Sequence, residues 1–486
     1  ILIKLFMHFN LVVIGSGLSS LSFIDSYLEK NKEIDVISPE FRKVKNNYKS
    51  ENSHLYSDKN LPPQMKYNEN NIKDYFAFNN FIVNKNANIM GSLEFGGLSN
   101  YWGLQIDQNI FSDIKCLSKI NNLKLQKSFI EIAKKVKFLG RFKIKGEEYI
   151  NDFKVDNLFD NLLKKKKINN FKITKPILAI SKKKLDTEKN IDLNLINESA
   201  NKITAKNYYK KFLKKKKINF HNYAVKKIFL KNKKIGLICE NNKKKKIFYA
   251  KKIVFGCGTL VTTKLIMDFL KIEKEVKIKE HPRLISMFFS KYKIENYLDF
   301  MPAQLQIRND SKGKSFLVDF RPGNKLIIDS VTKIYKFLLP FKFLLNFLKN
   351  YMIFSNILLD SKYSNVFIKS KKNSKTFIYS KNSKSVQSSL ILKNIQKKLF
   401  TMLCREKLIY PIYKNSYSNH GSAYHYFGTI PISGRKSRMS VNDLCQLNNF
   451  KNIYIIDGSV FDFKINKYPL GVIMANARRV AKEIKR

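Results

Sequence analysis

A glycine-rich turn near the beginning of the chain is the first feature that could do chemistry. Gly15 and Gly17 stand in a G-x-G-x-x-S pattern that ends at Ser20. The first glycine permits a tight turn, the second lets backbone N–H groups approach a pyrophosphate, and a small third residue allows close helix–strand packing. The apolar run 9–14 predicts a buried strand before the turn, and residues 33–38 predict a second strand after a helix. This order predicts a dinucleotide-binding βαβ unit; the alternative is a glycine turn without a ligand.

The end of the predicted second strand departs from the usual dinucleotide pattern. An acidic residue there would hold the ribose hydroxyls. Ser38 occupies the place, with Asp35 before it and Glu40 after it. We therefore take Ser38 as a candidate cofactor contact and Glu40 as the acid that could reach the ribose.

A second glycine-rich segment adds to this turn. It runs Gly96-Gly97-Leu98-Ser99-Asn100-Tyr101-Trp102-Gly103. With the first turn and the C-terminal tail, it resembles the glucose–methanol–choline (GMC) oxidoreductases, in which a GG-x-S-x-x-W-G loop lies along FAD. The resemblance implies that Gly96, Gly97, Ser99, Asn100 and Trp102 contact the cofactor; the alternative is a core tryptophan beside a flexible loop. Some members carry the flavin covalently on a histidine before the tryptophan. Because Tyr101 stands there, we expect non-covalent FAD.

Three segments in the middle of the chain extend the resemblance. The segment 221–225 is similar to one whose backbone holds the adenine, near Val225. The segment 253–262 resembles a second glycine turn beside the cofactor and implies a contact at Gly258. Glu280-His281-Pro282 resembles the family's hinge into the substrate domain.

The C-terminal region resembles the family most specifically. His425 begins an H-x-x-G-T motif, in which the family's histidine takes the hydroxyl proton as hydride passes to flavin N5. A histidine suits this role because its pKa lies near operating pH. The alternatives are a structural histidine, or His420 as a weaker candidate base. Asp457 and Gly458 follow a buried strand that the resemblance places beside the flavin; a turn-capping role for Asp457 is compatible with this.

Tyr468 is a departure from the family pattern, which usually has Asn or His before Pro469. A tyrosine hydroxyl can still hydrogen-bond a substrate oxygen, so Tyr468 is a second candidate catalytic residue.

The motifs and the resemblance together lead us to expect one of two functions. The first is FAD-dependent oxidation of a CH–OH group in an alcohol, polyol or sugar, with an electron acceptor that the sequence does not name. The second is a catalytically altered flavin-binding protein with a carbohydrate-binding or assembly role.

The charge and the amino-acid composition of the chain indicate which kinds of binding partner to expect. The formal net charge is +54, with 92 Lys and Arg against 38 Asp and Glu. Lysine far exceeds arginine and is spread along the chain, so we do not expect nucleic-acid binding. A surface this basic would be attracted to anionic lipid or acidic polysaccharide. The apolar segment 337–359 predicts either an amphipathic surface helix, hence peripheral membrane contact, or a core helix.

Cysteine usage and the N-terminus bear on location. The five cysteines are scattered without a C-x-x-C pair, which predicts neither a disulfide framework nor a metal site and favours a reducing, cytoplasmic compartment. The apolar run 9–14 leads directly into the glycine turn, so we expect no signal peptide, with Met7 as a natural start.

These motifs predict an α/β protein with a discontinuous, Rossmann-type FAD-binding domain. It comprises residues 1–286 and 418–486 and surrounds an inserted α+β substrate domain, 287–417, built on an antiparallel sheet. Local patterns predict further elements: a long loop or insertion over 42–80, a helix over 129–144, three short strands over 218–259 and a helix over 386–403.

Overall fold

The chain is a mixed α/β protein with several sheets. The computed structural model describes residues 7–39, 69–107, 114, 116–168, 171–180, 203–205, 217–232, 234–241, 244–294, 302–309, 315–371, 375–381, 385–433, 437–463 and 468–484. The predictions made for Glu40 and for residues 1–6 concern residues outside this described part.

The elements of the described part follow in chain order. The strands are β1 (Met7–Ile14), β2 (Ile34–Ile37), β3 (Phe81–Val83), β4 (Gln105–Ile106), β5 (Gly140–Ile144), β6 (Glu147–Asn151), β7 (Lys167–Ile168), β8 (Phe171–Thr174), β9 (Ile177–Leu178), β10 (Ile218–His221), β11 (Ala224–Lys231), β12 (Lys234–Asn241), β13 (Lys244–Phe255), β14 (Val276–Ile278), β15 (Arg283–Ser290), β16 (Leu305–Asn309), β17 (Phe316–Pro322), β18 (Met352–Leu359), β19 (Val366–Ser370), β20 (Thr376–Ser380), β21 (Ile409–Tyr417) and β22 (Ile453–Ile455). The α-helices are α1 (Leu18–Tyr27), α2 (Glu69–Phe78), α3 (Lys119–Val136), α4 (Asn157–Lys164), α5 (Thr259–Leu270), α6 (Lys325–Ile334), α7 (Lys342–Leu348), α8 (Ser385–Arg405) and α9 (Leu470–Glu483).

A parallel sheet joins the two ends of the chain. Strands β10, β2, β1, β13 and β22 lie side by side in that order, all parallel. From β1 the chain continues to β2 on one side, whereas β13 lies on the other side. In parallel sheets, such a reversal of strand order opens a crevice at the carboxyl ends of the strands, where ligands bind. The carboxyl ends of β1 and β13 are followed by Gly15 and Gly256.

Strand β1 is central because its sequence is apolar on both faces. Val12, Val13 and Ile14 are buried, as expected of a parallel strand covered on both sides. Helix α1 returns the chain to β2 and packs against α9, and the Ser22 hydroxyl donates to the carbonyl of Met474 at 2.7 Å. The C-terminal helix therefore stabilises the glycine turn from behind.

An antiparallel sheet covers the crevice. Its strand order is β21-β15-β18-β17-β16-β8-β7. One cross-strand row runs through Gln306, Asp319, Asn356, Ile285 and Ser416. Residues in one row share a face of the sheet, so several polar side chains lie together on that face.

A smaller sheet, in the order β14-β19-β20-β3, joins segments distant in sequence. It pairs β19 and β20, from the predicted insertion, with β3 and β14, from the predicted FAD-binding ranges. Strand β8 likewise pairs with β16 across those ranges. The domain boundaries themselves stay a prediction.

Three local predictions need correction. The segment 42–80 contains helix α2, and 218–259 contains four strands rather than three. The helix predicted over 129–144 is wrong at both ends. It begins at Lys119 and ends at Val136, where Lys137 adopts a left-handed conformation (φ 55°), and β5 follows. Strand β5, which pairs with β6, alternates buried and exposed residues, as expected of a strand with one covered face and one solvated face.

The apolar segment 337–359 contains two different elements. Its first part includes the short exposed helix α7, and its second part is the mostly buried strand β18. The exposed helix agrees with the predicted surface helix, whereas the predicted core helix is wrong because the buried part of the segment is a strand. Among the described residues, none of the helices combines the length and apolar character needed to cross a membrane.

Candidate functional site

A cavity of about 750 Å³ lies between the carboxyl edge of the parallel sheet and the antiparallel sheet. Its volume is within the range of roughly 300–1,000 Å³ typical of small-molecule and cofactor sites. Most of the candidate site residues predicted from the sequence line it: Gly15, Gly17, Ser38, Gly96, Gly97, Ser99, Trp102, Val225, Gly258, His425, Asp457, Gly458 and Tyr468. Ser20 and Asn100 are buried outside its lining.

The first glycine turn is held against the second one. Gly15 has a φ of 106°, and a Cβ there would lie 2.6 Å from the carbonyl oxygen of Gly256. Only glycine fits this place. Ser20 contacts the same glycine, donating its hydroxyl to the Gly256 carbonyl at 3.1 Å. The packing role predicted for the third motif position is thus observed, whereas Gly17 is the N-cap of helix α1 and lines the cavity.

Two serine hydroxyls link the glycine turns to the end of β2. Ser38 donates to the Ser16 hydroxyl at 2.9 Å, and Ser16 accepts the backbone N–H of Gly96 at 3.0 Å. Asp35 is instead engaged by His221, with a distance of 2.9 Å to its Nε2. Ser38, directly after β2, therefore offers polar atoms near the cavity, whereas Asp35 within β2 does not line it.

The loop 96–103 approaches the cavity with its backbone. Gly96 and Gly97 both have positive φ, 94° and 57°, and a Cβ on Gly97 would meet no protein atom within 4 Å. Ser99 fixes the turn by donating to the Gly96 carbonyl at 2.7 Å. Trp102 donates its indole N–H to the carbonyl of Ile203 at 3.0 Å. Asn100 serves the loop itself, donating to the Phe95 carbonyl at 3.0 Å.

Asp457 connects the second glycine turn to the C-terminal motifs. It accepts the backbone N–H of Gly258 at 3.0 Å and the hydroxyl of Thr262 at 2.5 Å. It also caps the 3₁₀ turn Gly458–Val460, as the alternative role predicted. Burial raises the pKa of its carboxyl, and these donors oppose that change. A Cβ on Gly458 would lie 2.6 Å from the Tyr426 carbonyl, so this glycine permits the close approach of the His425 loop.

His425 lies in the cavity wall between several rings and a guanidinium. Its ring packs edge-on against Tyr468 and His281, with centroids 5.3 and 5.7 Å away. Its Nδ1 is buried and has no hydrogen-bond partner among the described residues. Burial, together with the nearby positive charge of Arg283, lowers the pKa of His425 to about 4. The imidazole is therefore neutral at pH 7. Tyr424, just before it, holds a left-handed φ of 60°.

Tyr468 is paired with a carboxylate that the sequence did not single out. Its hydroxyl donates to Asp319, which also accepts from Gln306 at 3.1 Å and lies 3.7 Å from Arg321. Burial raises the pKa of Asp319 to about 6 in spite of these partners. Tyr468 therefore has an acceptor within the protein.

His420, the weaker candidate base, is located differently. It is buried with its Nδ1 3.3 Å from the carboxylate of Glu280, and it does not line the cavity. We therefore assign it a structural role in joining the loop before His425 to the segment 280–282.

Comparison with known proteins adds no relative. The sequence matches no protein-family model, and a search of curated proteins finds none that matches it.

Sequence reasoning missed three charged residues at this site: Arg283, Asp319 and Arg321. Asp319 and Arg321 are two positions apart on β17 and so share a face, and Arg283 begins β15 directly after the segment 280–282. The spacing of two positions between Asp319 and Arg321 could have indicated that both side chains lie on one face of a strand. Their convergence with His425 depends on packing between segments that lie more than 100 positions apart in the chain.

Proposed function

We propose that this chain is an FAD-dependent oxidoreductase that oxidises a CH–OH group of an alcohol, polyol or sugar. In this proposal the parallel sheet belongs to a Rossmann-type FAD-binding domain of the GMC kind. The observation that carries the proposal is that one cavity connects the Gly15 turn, the Gly96–Gly97 loop and His425.

The residues around the cavity fit this cofactor. The turn at Gly15 and the N-terminus of α1 at Gly17 would receive the pyrophosphate, since backbone N–H groups and the helix dipole favour anions there. Ser38 would contact the ribose and the backbone at Val225 the adenine. The flavin part of the cofactor would lie among the remaining candidate residues, which are Gly97, Ser99, Trp102, Gly258, Asp457 and Gly458. When bound, the flavin supplies the hydride acceptor. Tyr101 stands where some members of the family have the histidine that carries the flavin, and its hydroxyl donates a hydrogen bond to Glu94 at 2.5 Å. We therefore propose that FAD is bound non-covalently.

His425 would take the proton of the substrate hydroxyl. Burial and Arg283 keep it unprotonated at pH 7, and a base must be unprotonated to accept a proton. Tyr468 would hold the edge of the imidazole by packing and fix one wall of the substrate space through its bond to Asp319.

The alternative, a catalytically altered flavin-binding protein with a carbohydrate-binding or assembly role, is favoured by one observation. The Tyr468 hydroxyl points its hydrogen at Asp319, so it is less free to donate to a substrate. Under this alternative the protein would bind flavin without turning over.

Anaerobic reduction of the bound flavin by a panel of alcohols, polyols and sugars tests the proposal. We expect at least one compound to bleach the flavin absorption, and we expect His425→Gln to slow this by about 10²–10⁴-fold, the usual effect of losing a general base. The exposed His8 provides the matched control, His8→Gln. Flavin that no compound reduces would favour the alternative, and equal rates for wild type and His425→Gln would remove His425 from the reaction.

A further inference from the structure

Two arginines face the cavity near His425. Arg283 lies on β15 and Arg321 on β17, on either side of β18, and both line the cavity. Arg283 is positioned over the ring of Tyr424, 5.1 Å from its centroid, and donates its Nε–H to the Ser422 hydroxyl at 3.2 Å. The side chain of Tyr424 is a second hydrogen-bond partner of Arg283, and both partners are neutral, so neither offsets the charge of the guanidinium.

The positive charge of this pair is incompletely balanced. Arg321 lies 3.7 Å from Asp319, whose carboxylate also accepts from Tyr468 and Gln306. No carboxylate of the described residues lies within ion-pair distance (4.0 Å) of Arg283. His425 contributes no charge at pH 7. A cation removed from water is costly unless an anion pairs with it.

We propose that the cavity binds a substrate that carries an anionic group, a carboxylate or a phosphate, close to the hydroxyl to be oxidised. This inference rests on the proposed function and specifies its substrate class. Guanidinium groups match both anions because their planar forks form two parallel hydrogen bonds.

Such a substrate would also affect the base. After burial, the charge of Arg283 is the remaining cause of the low pKa of His425. An anion beside Arg283 would offset that charge and raise the pKa. The anionic substrate would thus make His425 a better proton acceptor.

Calorimetric titration with matched ligand pairs tests this proposal. The pairs are D-gluconate with D-glucitol, for the carboxylate, and glycerol 3-phosphate with glycerol, for the phosphate. We expect one anionic member to bind at least about tenfold more tightly than its neutral partner, about 1.4 kcal/mol. Arg283→Gln and Arg321→Gln should remove that preference, Arg283→Lys should retain part of it, and the control Arg405→Gln, on the exposed side of α8, should leave it unchanged.

Equal binding of neutral and anionic members, no binding of either anion, or an unchanged preference in both glutamine variants would overturn the proposal. The wild-type comparison needs no variant, so misfolding cannot obscure it. Flavin content, measured on the same samples, separates this proposal from the function itself. Anion preference without flavin would overturn the function and leave the anion site.

The segment 335–347, which includes α7, exposes large apolar side chains whose exposed fractions range from 48% to 88%. They are Tyr335, Phe337, Leu339, Phe341, Phe343, Leu344 and Phe347. We call this set the aromatic surface. Contiguous exposed apolar surface of this kind marks contact with a protein or a membrane.

The charge around the aromatic surface indicates which partner it fits. Residues 325–349 contain five lysines and one acidic residue, Asp329. Lys342 pairs with Asp329 at 2.8 Å, whereas Lys325 and Lys336 are exposed. Apolar residues flanked by lysines fit a bilayer whose surface carries anionic lipids.

We propose that the aromatic surface docks this protein onto an anionic membrane. Helix α7 packs against α6, and three residues at or in α6, Asn324, Ile327 and Val331, line the cavity. Docking would therefore bring one wall of the cavity next to the lipid surface.

Vesicle flotation tests the docking proposal. Vesicles of phosphatidylcholine with phosphatidylglycerol should carry the wild-type protein, and vesicles of phosphatidylcholine alone should carry less. The double variant Phe343→Ser/Phe347→Ser should lower the partition coefficient about tenfold or more. The matched control is Leu390→Ser, on the exposed face of α8. Absence of flotation at low salt, or equal flotation of the double variant, would overturn the proposal. So would a dimer, detected by light scattering, that the double variant abolishes, because the surface would then bind a second copy.

Discussion

The hydroxyl of Tyr468 donates a hydrogen bond to the carboxylate of Asp319, a residue 149 positions earlier in the chain. This bond joins the segment before α9, where Tyr468 lines the cavity, to strand β17 of the antiparallel sheet. It connects the two halves of the candidate site, and both partners are buried.

Loss of this bond should destabilise the protein. Tyr468→Phe leaves the buried carboxylate of Asp319 with one donor fewer, which we expect to lower the free energy of unfolding by about 1–3 kcal/mol. Urea denaturation measures this change. The control Tyr410→Phe alters a half-exposed tyrosine on β21 and should have little effect. Equal stability of Tyr468→Phe and wild type would contradict the bond.

Asp319 should give a pH dependence of stability that the Asp319→Asn variant lacks. Burial raises its pKa from 3.8 to about 6 in the folded state. The contribution of this acid is therefore fully present below pH 3.8 and lost as the pH rises through about 6. The free energy of unfolding of the wild type minus that of Asp319→Asn should fall by up to about 3 kcal/mol over this window. Urea denaturation at several pH values measures it, and a flat difference would contradict the raised pKa.

His425 should give a slope of opposite sign. Its pKa falls from 6.5 to about 4 on folding, so the unfolded state binds the proton first. Its contribution is present above pH 6.5 and is lost as the pH falls through about 4. The wild type minus His425→Gln difference should therefore rise by up to about 3 kcal/mol between these values. The two residues offset each other in the wild type, so each slope is visible only against its variant.

Gly97 tests whether the cavity receives a cofactor. A Cβ at Gly97 would meet no protein atom, and the same holds for Gly146, which has a φ of 87° in the β5–β6 turn outside the cavity lining. Both alanine variants should destabilise the fold by about 1 kcal/mol, since both place alanine at positive φ. Only Gly97→Ala should lower the affinity for FAD, by about tenfold or more. Equal FAD affinity of the two variants would contradict a cofactor beside this loop.

Short-range patterns predicted a substantial part of this arrangement. The G-x-G-x-x-S turn follows a continuous apolar strand, and the alternatives to a strand–turn–helix are few there. The helical pattern over 386–403 similarly predicted α8. These patterns depend on residues that are close together in the sequence, so they can be recognised without knowledge of the tertiary structure.

Long-range packing decided what the sequence did not predict. Asp319 and Arg321 occupy a strand whose pattern gives only their common face, and their neighbours Tyr468 and Arg283 come from other segments. The helix α3 was misplaced because its end depends on Lys137 and on the pairing of β5 with β6. A hydrophobic pattern alone could not distinguish the exposed α7 from the buried β18, since both are apolar and only tertiary contacts differ.

Titration of FAD into protein freed of bound flavin tests the central claim most directly. Trp102 is the only tryptophan of the chain and lines the cavity, so its fluorescence reports on occupancy there. The account predicts saturable quenching that is complete at one FAD per chain, with the flavin released again when the protein is denatured. Unchanged Trp102 fluorescence, together with no FAD retained on gel filtration, would contradict it.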